Sequence, residues 1–306
     1  MGRSQRKRNR RARMRRRTQE YEASPINKLA CDLHIHSNRS DGVLSPEGVL
    51  KAAASGGLKV IALTDHDLST ALPFGWNTCE DRSVFVIHGA ELSVSHEGTE
   101  QHILVYFPKS APAEFQQYCM QRTEDRARRY DLLREWLQQR GVGPLPSASK
   151  RIEEGAHALT RLHLAQDVVK HNMASSVSEV FERWLHYQPY SNYFPSIKEV
   201  LEFATDVGGF SSWAHPRTEE ASRWLAVFKK YGLNSVEGFR PTRGKHHRRK
   251  LRELAASLQL HVTGGSDTHG SSLGAFAVPA VRFRSWMEPI GIWEHLLSNQ
   301  NSQQEI

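Results

Sequence analysis

The sequence predicts an α/β fold, a parallel sheet or barrel interrupted by a helical insertion, and three observations carry that prediction. The runs at 59–64 and 84–87 are apolar without alternation, as strands covered on both faces are. After Pro195, strand-like and helix-like segments alternate, the pattern of a parallel sheet or barrel. Between about 109 and 195 no strand pattern occurs, only charged helical periodicity.

Each element follows from its residues. Cys31, Asp32, Leu33 and His34, after Leu29 and Ala30, form a short first strand. Ser45-Pro46-Glu47 opens a helix, with Ser45 as N-cap and Pro46 in the first turn, and Gly56-Gly57 stops it. Residues 59–64 are the second strand, 84–87 the third, leading to Gly89-Ala90-Glu91, and 102–106 the fourth. A long charged helix spans 114–140, a Gly, Pro and Ser-rich loop 143–149, and further helices 161–170 and 176–186. Helices then follow at 196–206, 222–231 and 246–257, with strands at 209–214, 235–239 and 261–266. The expected organisation is a basic tail at 1–25, a discontinuous barrel at 26–108 and 196–306, and a helical insertion domain at 109–195.

Composition narrows the class. Hydrophobic residues are 39% of the chain, enough for a core. Residues 1–17 hold ten Lys or Arg and no acid, while the whole chain is formally +8, so the remainder is −2. The tail cannot bury a face and is expected to be disordered, either a solvated arm or an RNA contact through phosphates. It has neither the apolar core of a secretory signal nor the apolar stripe of a transit peptide. Cys31, Cys79 and Cys119 are scattered, which argues against a disulfide framework or zinc finger and for a cytoplasmic location. No apolar run approaches the roughly 18 residues of a membrane span.

Chemistry-bearing residues gather where apolar runs end. Asp32-Leu33-His34-Ile35-His36, Thr64-Asp65-His66-Asp67, Ala214-His215-Pro216 and Asp267-Thr268-His269 occupy such ends; Ser40-Asp41-Gly42, Glu91 and His102 lie elsewhere. Residues i and i+2 of an extended chain share a face, which pairs His34 with His36 and Asp267 with His269. Imidazole and carboxylate ligands suit zinc, manganese or iron. The nine candidates are His34, His36, Asp41, His66, Glu91, His102, His215, Asp267 and His269. They exceed the needs of one ion, so they imply a multinuclear centre of the kind that serves hydrolysis. His88, His96, His157, His171, His186, His246, His247, His261 and His295 lack such context. The run from His246 to Lys250 reads as a solvated helix start that could also meet RNA.

These motifs, in order, resemble those of the PHP (polymerase and histidinol phosphatase) superfamily over roughly residues 28 to 280. Within it, Leu159-Thr160-Arg161-Leu162-His163-Leu164-Ala165, Phe181 to Leu185 and Tyr193-Phe194-Pro195 resemble the branch with an inserted helical domain. That branch includes 3′,5′-nucleoside bisphosphate phosphatases and a 5′-to-3′ exoribonuclease. Leu162, the single-residue spacing of His215-Pro216-Arg217 and residues 187–192 depart from the branch pattern.

The resemblance implies a distorted (βα)7 barrel around three divalent ions, Mn2+ foremost, with Zn2+ or Fe2+ as alternatives. By carry-over, His34, His36, Glu91 and Asp267 hold the first ion. Glu91 bridges to a second held with His102 and His215, and Asp41, His66 and His269 hold the third. Glu91, Asp267 and His269 form the catalytic core, and Asp65 and Asp67 orient ligand imidazoles from behind. Arg161 and His163 clasp a substrate phosphate, with Arg217, and similarly Arg39, as weaker candidates. The implied activity is hydrolysis of a 3′,5′-nucleoside bisphosphate or a short 5′-phosphorylated RNA by a metal-activated hydroxide. Histidinol phosphate or another small ester, or a non-catalytic nucleic-acid-binding module, are the alternatives.

Overall fold

A computed structural model describes residues 25–186, 193–241 and 244–302. The basic tail and the 187–192 loop singled out above lie outside the described residues. The strands are β1 (Ala30–Ile35), β2 (Val60–Leu63), β3 (Gly75–Cys79), β4 (Arg82–His96), β5 (Thr99–Phe107), β6 (Phe210–Trp213), β7 (Ser235–Phe239), β8 (His261–Gly264) and β9 (Val278–Pro279). They form one sheet in the order β8-β7-β6-β5-β4-β2-β1-β9, with β3 against β4. The two ends of the sheet meet. Asp267 N–H donates to His34 O at 2.8 Å and His36 N–H to Thr268 O at 3.1 Å, so the segment after β8 closes on β1.

The sheet is mixed, not uniformly parallel as the sequence predicts. β1, β2 and β4 are parallel, as are β6, β7 and β8, but β5 runs antiparallel to both β4 and β6. The cause is the link at Glu97-Gly98. Both residues have positive φ, 48° and 74°, the geometry of a two-residue hairpin turn. A link this short cannot carry the crossover that parallel neighbours need.

Side-chain parity divides the core. Val60, Ala62, Phe85, Ile87, Leu104 and Tyr106 pack together with Phe283, Trp286 and Trp293 from the C-terminal segment. Tyr106 O–H donates to Leu33 O at 2.8 Å across strands that are not neighbours, which marks this as the barrel interior. Ile61, Leu63, Val84 and Val86, of the other parity, face α1 (Pro46–Ser55), where Ser45 caps Gly48 N–H as expected. Between β5 and β6 come α2 (Ala113–Gln138), α3 (Ala148–Glu153), α4 (Arg161–Lys170), α5 (Val177–Val180) with a π turn at Phe181–Leu185, and α6 (Ile197–Asp206). Tyr130, Leu133, Leu137, Leu164, Val168 and Val180 give α2, α4 and α5 an apolar cluster of their own. Later come α7 (Thr218–Lys230), α8 (Lys245–Ser257), α9 (Arg284–Met287) and α10 (Ile292–Ser302). Helix α7 starts four residues earlier than its apolar pattern suggests, because Glu219 and Glu220 suit a first turn.

Candidate metal centre

The parallel strands end on one rim and antiparallel β5 begins there, so the topology delivers the ligand candidates to one place. His34 lies in β1 and His36 just past it, and His66 follows β2. Glu91 lies in β4 beyond its pairing with β2, His102 near the start of β5, and His215 follows β6. Asp267 and His269 follow β8. Asp41 comes from the loop ahead of α1.

Glu91, fully buried, is the centre of this arrangement. Its Oε2 lies 3.3 Å from both His34 Nε2 and His36 Nε2. Its Oε1 lies 3.1 Å from His102 Nδ1 and 3.0 Å from His215 Nε2. One carboxylate thus offers one oxygen to each of two imidazole pairs. Asp267 Oδ1 joins the first pair, 3.4 Å from His34 Nε2 and 3.2 Å from His36 Nε2. Asp41 Oδ1 lies 3.1 Å from His269 Nε2, and Asp41 Oδ2 3.6 Å from His66 Nε2. His66 also turns Nδ1 to Glu91 Oε2 at 3.1 Å, so it faces two groups at once. All nine candidates therefore converge.

The donor set fits cations. Among the described residues, Asp41 Oδ1, His66 Nδ1 and Glu91 Oε2 are buried without a hydrogen-bond partner, and each points into the cluster. Buried polar atoms need partners, and carboxylate and imidazole atoms this close suit a shared cation. The titration behaviour agrees. Burial opposes charge on His34, but Glu91, Asp267 and Glu237 outweigh it and push its pKa up to about 10. Burial likewise opposes charge on His102, yet Glu91 and Glu100 raise it to about 9. Burial also works against ionised Glu91, but His34, His102 and His66 hold its carboxyl well below the usual range.

Backbone strain concentrates here. Asp67, His215 and Asp267 have positive φ of 50°, 37° and 55°. Such residues cost about 1–3 kcal/mol each unless their surroundings fix them. Each is fixed through its N–H: Asp67 to Glu91 O at 2.9 Å, His215 to Glu237 Oε2 at 2.9 Å, and Asp267 to His34 O at 2.8 Å. The folded chain spends stability on aiming these side chains.

The PHP domain family model matches residues 32–207. The chain belongs to the PHP domain family. The 5′-3′ exoribonuclease Rnm of Salmonella typhimurium is 29% identical over 249 residues, covering 78% of this chain and 84% of that protein. The 3′,5′-nucleoside bisphosphate phosphatase of Chromobacterium violaceum is 25% identical over 251 residues, covering 79% and 88%. An amidohydrolase structure from Chromobacterium violaceum, with bound sulfate, superposes with a TM-score of 0.68 at 22% identity over 88% of this chain and 96% of that one. It shows the fold.

Around the PHP cluster stands a layer that the sequence did not single out. Fully buried Glu237, in β7, lies 3.1 Å from His34 Nδ1 and accepts from Arg240 Nη1 at 2.7 Å. Arg240 Nη2 then donates to Asp267 Oδ2 at 2.9 Å. Glu100 Oε1 lies 3.3 Å from His102 Nε2. Glu237 left a trace in the sequence, a lone acid inside an otherwise uncharged strand; Glu100 left none. Asp65 and Asp67 do not orient imidazoles directly. Asp65 accepts from Ser37 N–H, Ser37 Oγ and Ser40 Oγ, and Asp67 from Arg126 Nε and Ser93 N–H. They brace the loops that carry the ligands.

A pocket of about 100 Å³ adjoins His66, His102 and Asp41, with Arg126, Arg129 and Arg161 on its other walls. Arg129 Nη2 and Arg161 Nη2 both reach Glu100 Oε2, at 2.9 and 3.3 Å. His163 accepts Thr160 N–H on Nδ1 at 3.1 Å, capping α4, which puts its proton on Nε2. Burial lowers its pKa, disfavouring the charged form. Arg217 is exposed at the start of α7 and does not line this pocket, and Arg39 binds Ser69 O at 3.0 Å. No described helix is long and apolar enough to cross a membrane.

Proposed function

We propose that this chain hydrolyses nucleotide phosphate esters, 3′,5′-nucleoside bisphosphates and short 5′-phosphorylated RNA taken from the 5′ end. The observation that carries the reading is the pocket of three arginines directly beside the Glu91 cluster. Its volume of about 100 Å³ suits one phosphoryl group and not a nucleoside. A substrate with two phosphates then has a place for each: one among Arg126, Arg129 and Arg161, the other at the ligands. The names borne by the relatives, exoribonuclease and bisphosphate phosphatase, support the same class.

Three divalent ions suit the nine ligands, with Glu91 serving two of them and Asp41, His66 and His269 the third. Manganese suits this mixed set, as do zinc and iron. The chemistry they supply when bound is activation of water and neutralisation of charge on the phosphoryl oxygens. The chain's own residues do the rest. Asp267 and His269, on one short segment, face the ligands from β8. Arg161 meets phosphate oxygens as a fork, while His163, which does not line the pocket, fixes the helix start that carries Arg161 by accepting Thr160 N–H. The three free thiols suit the reducing cytosol. The test is a panel with manganese: adenosine 3′,5′-bisphosphate, a 5′-phosphorylated oligoribonucleotide, its 5′-hydroxyl twin and histidinol phosphate. The first two should be cleaved, and 3′-phosphate released from the first. Turnover confined to histidinol phosphate would overturn the reading.

A further inference from the structure

Given the nucleotide hydrolysis proposed above, we propose that single-stranded RNA 3′ of the scissile phosphate leaves the centre past Pro241 and lies on the basic flank of α8. Two independent features support this route. A second cavity, of about 360 Å³, adjoins Asp267 and His269 rather than His66 and His102, and is walled by Pro241, Ser272, Leu273 and Phe276. It is large enough for a nucleoside and offers apolar and aromatic surface for a base. Pro241 precedes Lys245, the first residue of α8, by four positions.

The second feature is α8 itself. It follows β7, so it begins at the strand end where the ligands gather. Its first turn carries no acid, and Lys245, Arg248, Arg249 and Arg252 recur at the i, i+3, i+4, i+7 spacing of one helix face. Glu253 is the first acid. Cations at a helix start oppose the macrodipole, and like charges at this spacing repel. Arg249 meets Glu253 at 3.5 Å one turn on, but the helix start carries no acid of its own, whereas α7 opens with Glu219 and Glu220. The face is also aimed. Arg248 Nη1 donates to Arg240 O at 3.1 Å, Arg252 lies over the Phe239 ring at 5.0 Å, and Arg240 holds Asp267. The stripe is tied to the rim, with Lys245 and Arg249 exposed at its outer edge. Phosphates spaced along a strand fit such a row without sequence being read.

The test compares Lys245→Gln/Arg249→Gln with Lys229→Gln/Lys230→Gln, the same charge loss at the C-terminal end of α7. Binding of a fluorescent, 5′-phosphorylated, phosphorothioate-linked ten-nucleotide RNA is followed by anisotropy against salt. Hydrolysis of adenosine 3′,5′-bisphosphate reports fold and centre. Two lost single-strand contacts flatten the salt slope by about 1.4. Between about 50 and 200 mM salt, wild-type affinity should then fall roughly sevenfold more than that of the α8 variant. Bisphosphate turnover should stay at the wild-type level in both variants. Equal slopes for wild type and the α8 variant, or equal flattening in the α7 control, would overturn the proposal. A wild-type protein inactive on every nucleotide would instead refute the proposed function, while the anisotropy series still decides the route.

Discussion

Replacing Glu237 by glutamine should damage the centre without touching a ligand. The carboxylate is fully buried and holds three groups: His34 Nδ1 at 3.1 Å, His215 N–H at 2.9 Å and Arg240 Nη1 at 2.7 Å. Glutamine keeps the shape and removes the charge. Its NH2 has two places to go. Against Arg240 and the His215 N–H it sets donor against donor. Against His34 Nδ1 it demands an acceptor there, which moves the imidazole proton to Nε2, the atom that faces Glu91 and Asp267. Either arrangement harms a ligand. Breaking a buried charge pair costs about 3–5 kcal/mol, and because Arg240 keeps Asp267 the lower end, about 3 kcal/mol, is expected. Loss of an outer-shell partner should lower metal affinity about 10- to 100-fold. Burial works to raise the Glu237 pKa, but Arg240 and His34 bring it below the ordinary 4.5. A depressed carboxylate stabilises above its unfolded pKa, so the wild-type advantage should hold above pH 4.5 and shrink as pH falls further. Chemical unfolding across pH and a competition titration with manganese read both quantities. Metal affinity within twofold of wild type, with an unchanged unfolding midpoint, would refute the reasoning.

Four further outcomes follow from the same geometry. Arg161→Ala should lower kcat/KM on 5′-phosphorylated substrates roughly 10- to 150-fold, the worth of about 1.5–3 kcal/mol in charged hydrogen bonds, with metal content by mass spectrometry unchanged. Metal binding must displace protons from His34 and His102, whose pKa values stand near 10 and 9, so affinity should rise with pH through neutrality, and calorimetry in buffers of different ionisation enthalpy should show proton release. Gly265→Ala would put a Cβ 2.3 Å from that of His34 and force β8 from β1, lowering the melting temperature and metal affinity together, while Gly270→Ala, with only Thr268 Oγ1 at 3.7 Å, should do neither. Deleting residues 1–20 should leave bisphosphate hydrolysis unchanged and flatten the salt dependence of long-RNA binding by about 0.7 per lost phosphate contact.

What the sequence disclosed and what it hid have physical reasons. The ligand candidates stood out in the sequence because a metal centre needs rare residue types at strand ends, and His34-x-His36 or Asp267-x-His269 contrasts with apolar flanks; the structure brings these candidates together. The barrel was legible for the same reason, since strands covered on both faces read as unbroken apolar runs. The reversed β5 was not. Its only signal was Glu97-Gly98, a weaker hairpin dipeptide than Asn-Gly or Asp-Gly. Strand β3 and the C-terminal helices carry too little periodicity to stand out. Arg126 and Arg129 sit in a helix so charged that no single arginine draws notice; only folding shows that these two turn inward, 3% and 4% exposed, while Arg128 faces solvent. Arg217 shows the converse, a motif-adjacent residue that stands exposed outside the arginine pocket.

The most direct test of the central claim is a manganese titration of metal-free protein, with release of the 3′-phosphate from adenosine 3′,5′-bisphosphate followed at each step and bound metal measured in parallel. The proposed assignment, nine converging candidates with Glu91 serving two sites, predicts activity that grows as occupancy approaches three ions per chain. The same titration of the His34→Ala protein should stop short in both occupancy and rate. Full turnover by the metal-free protein, or a maximal rate already reached with one bound ion, would contradict the account.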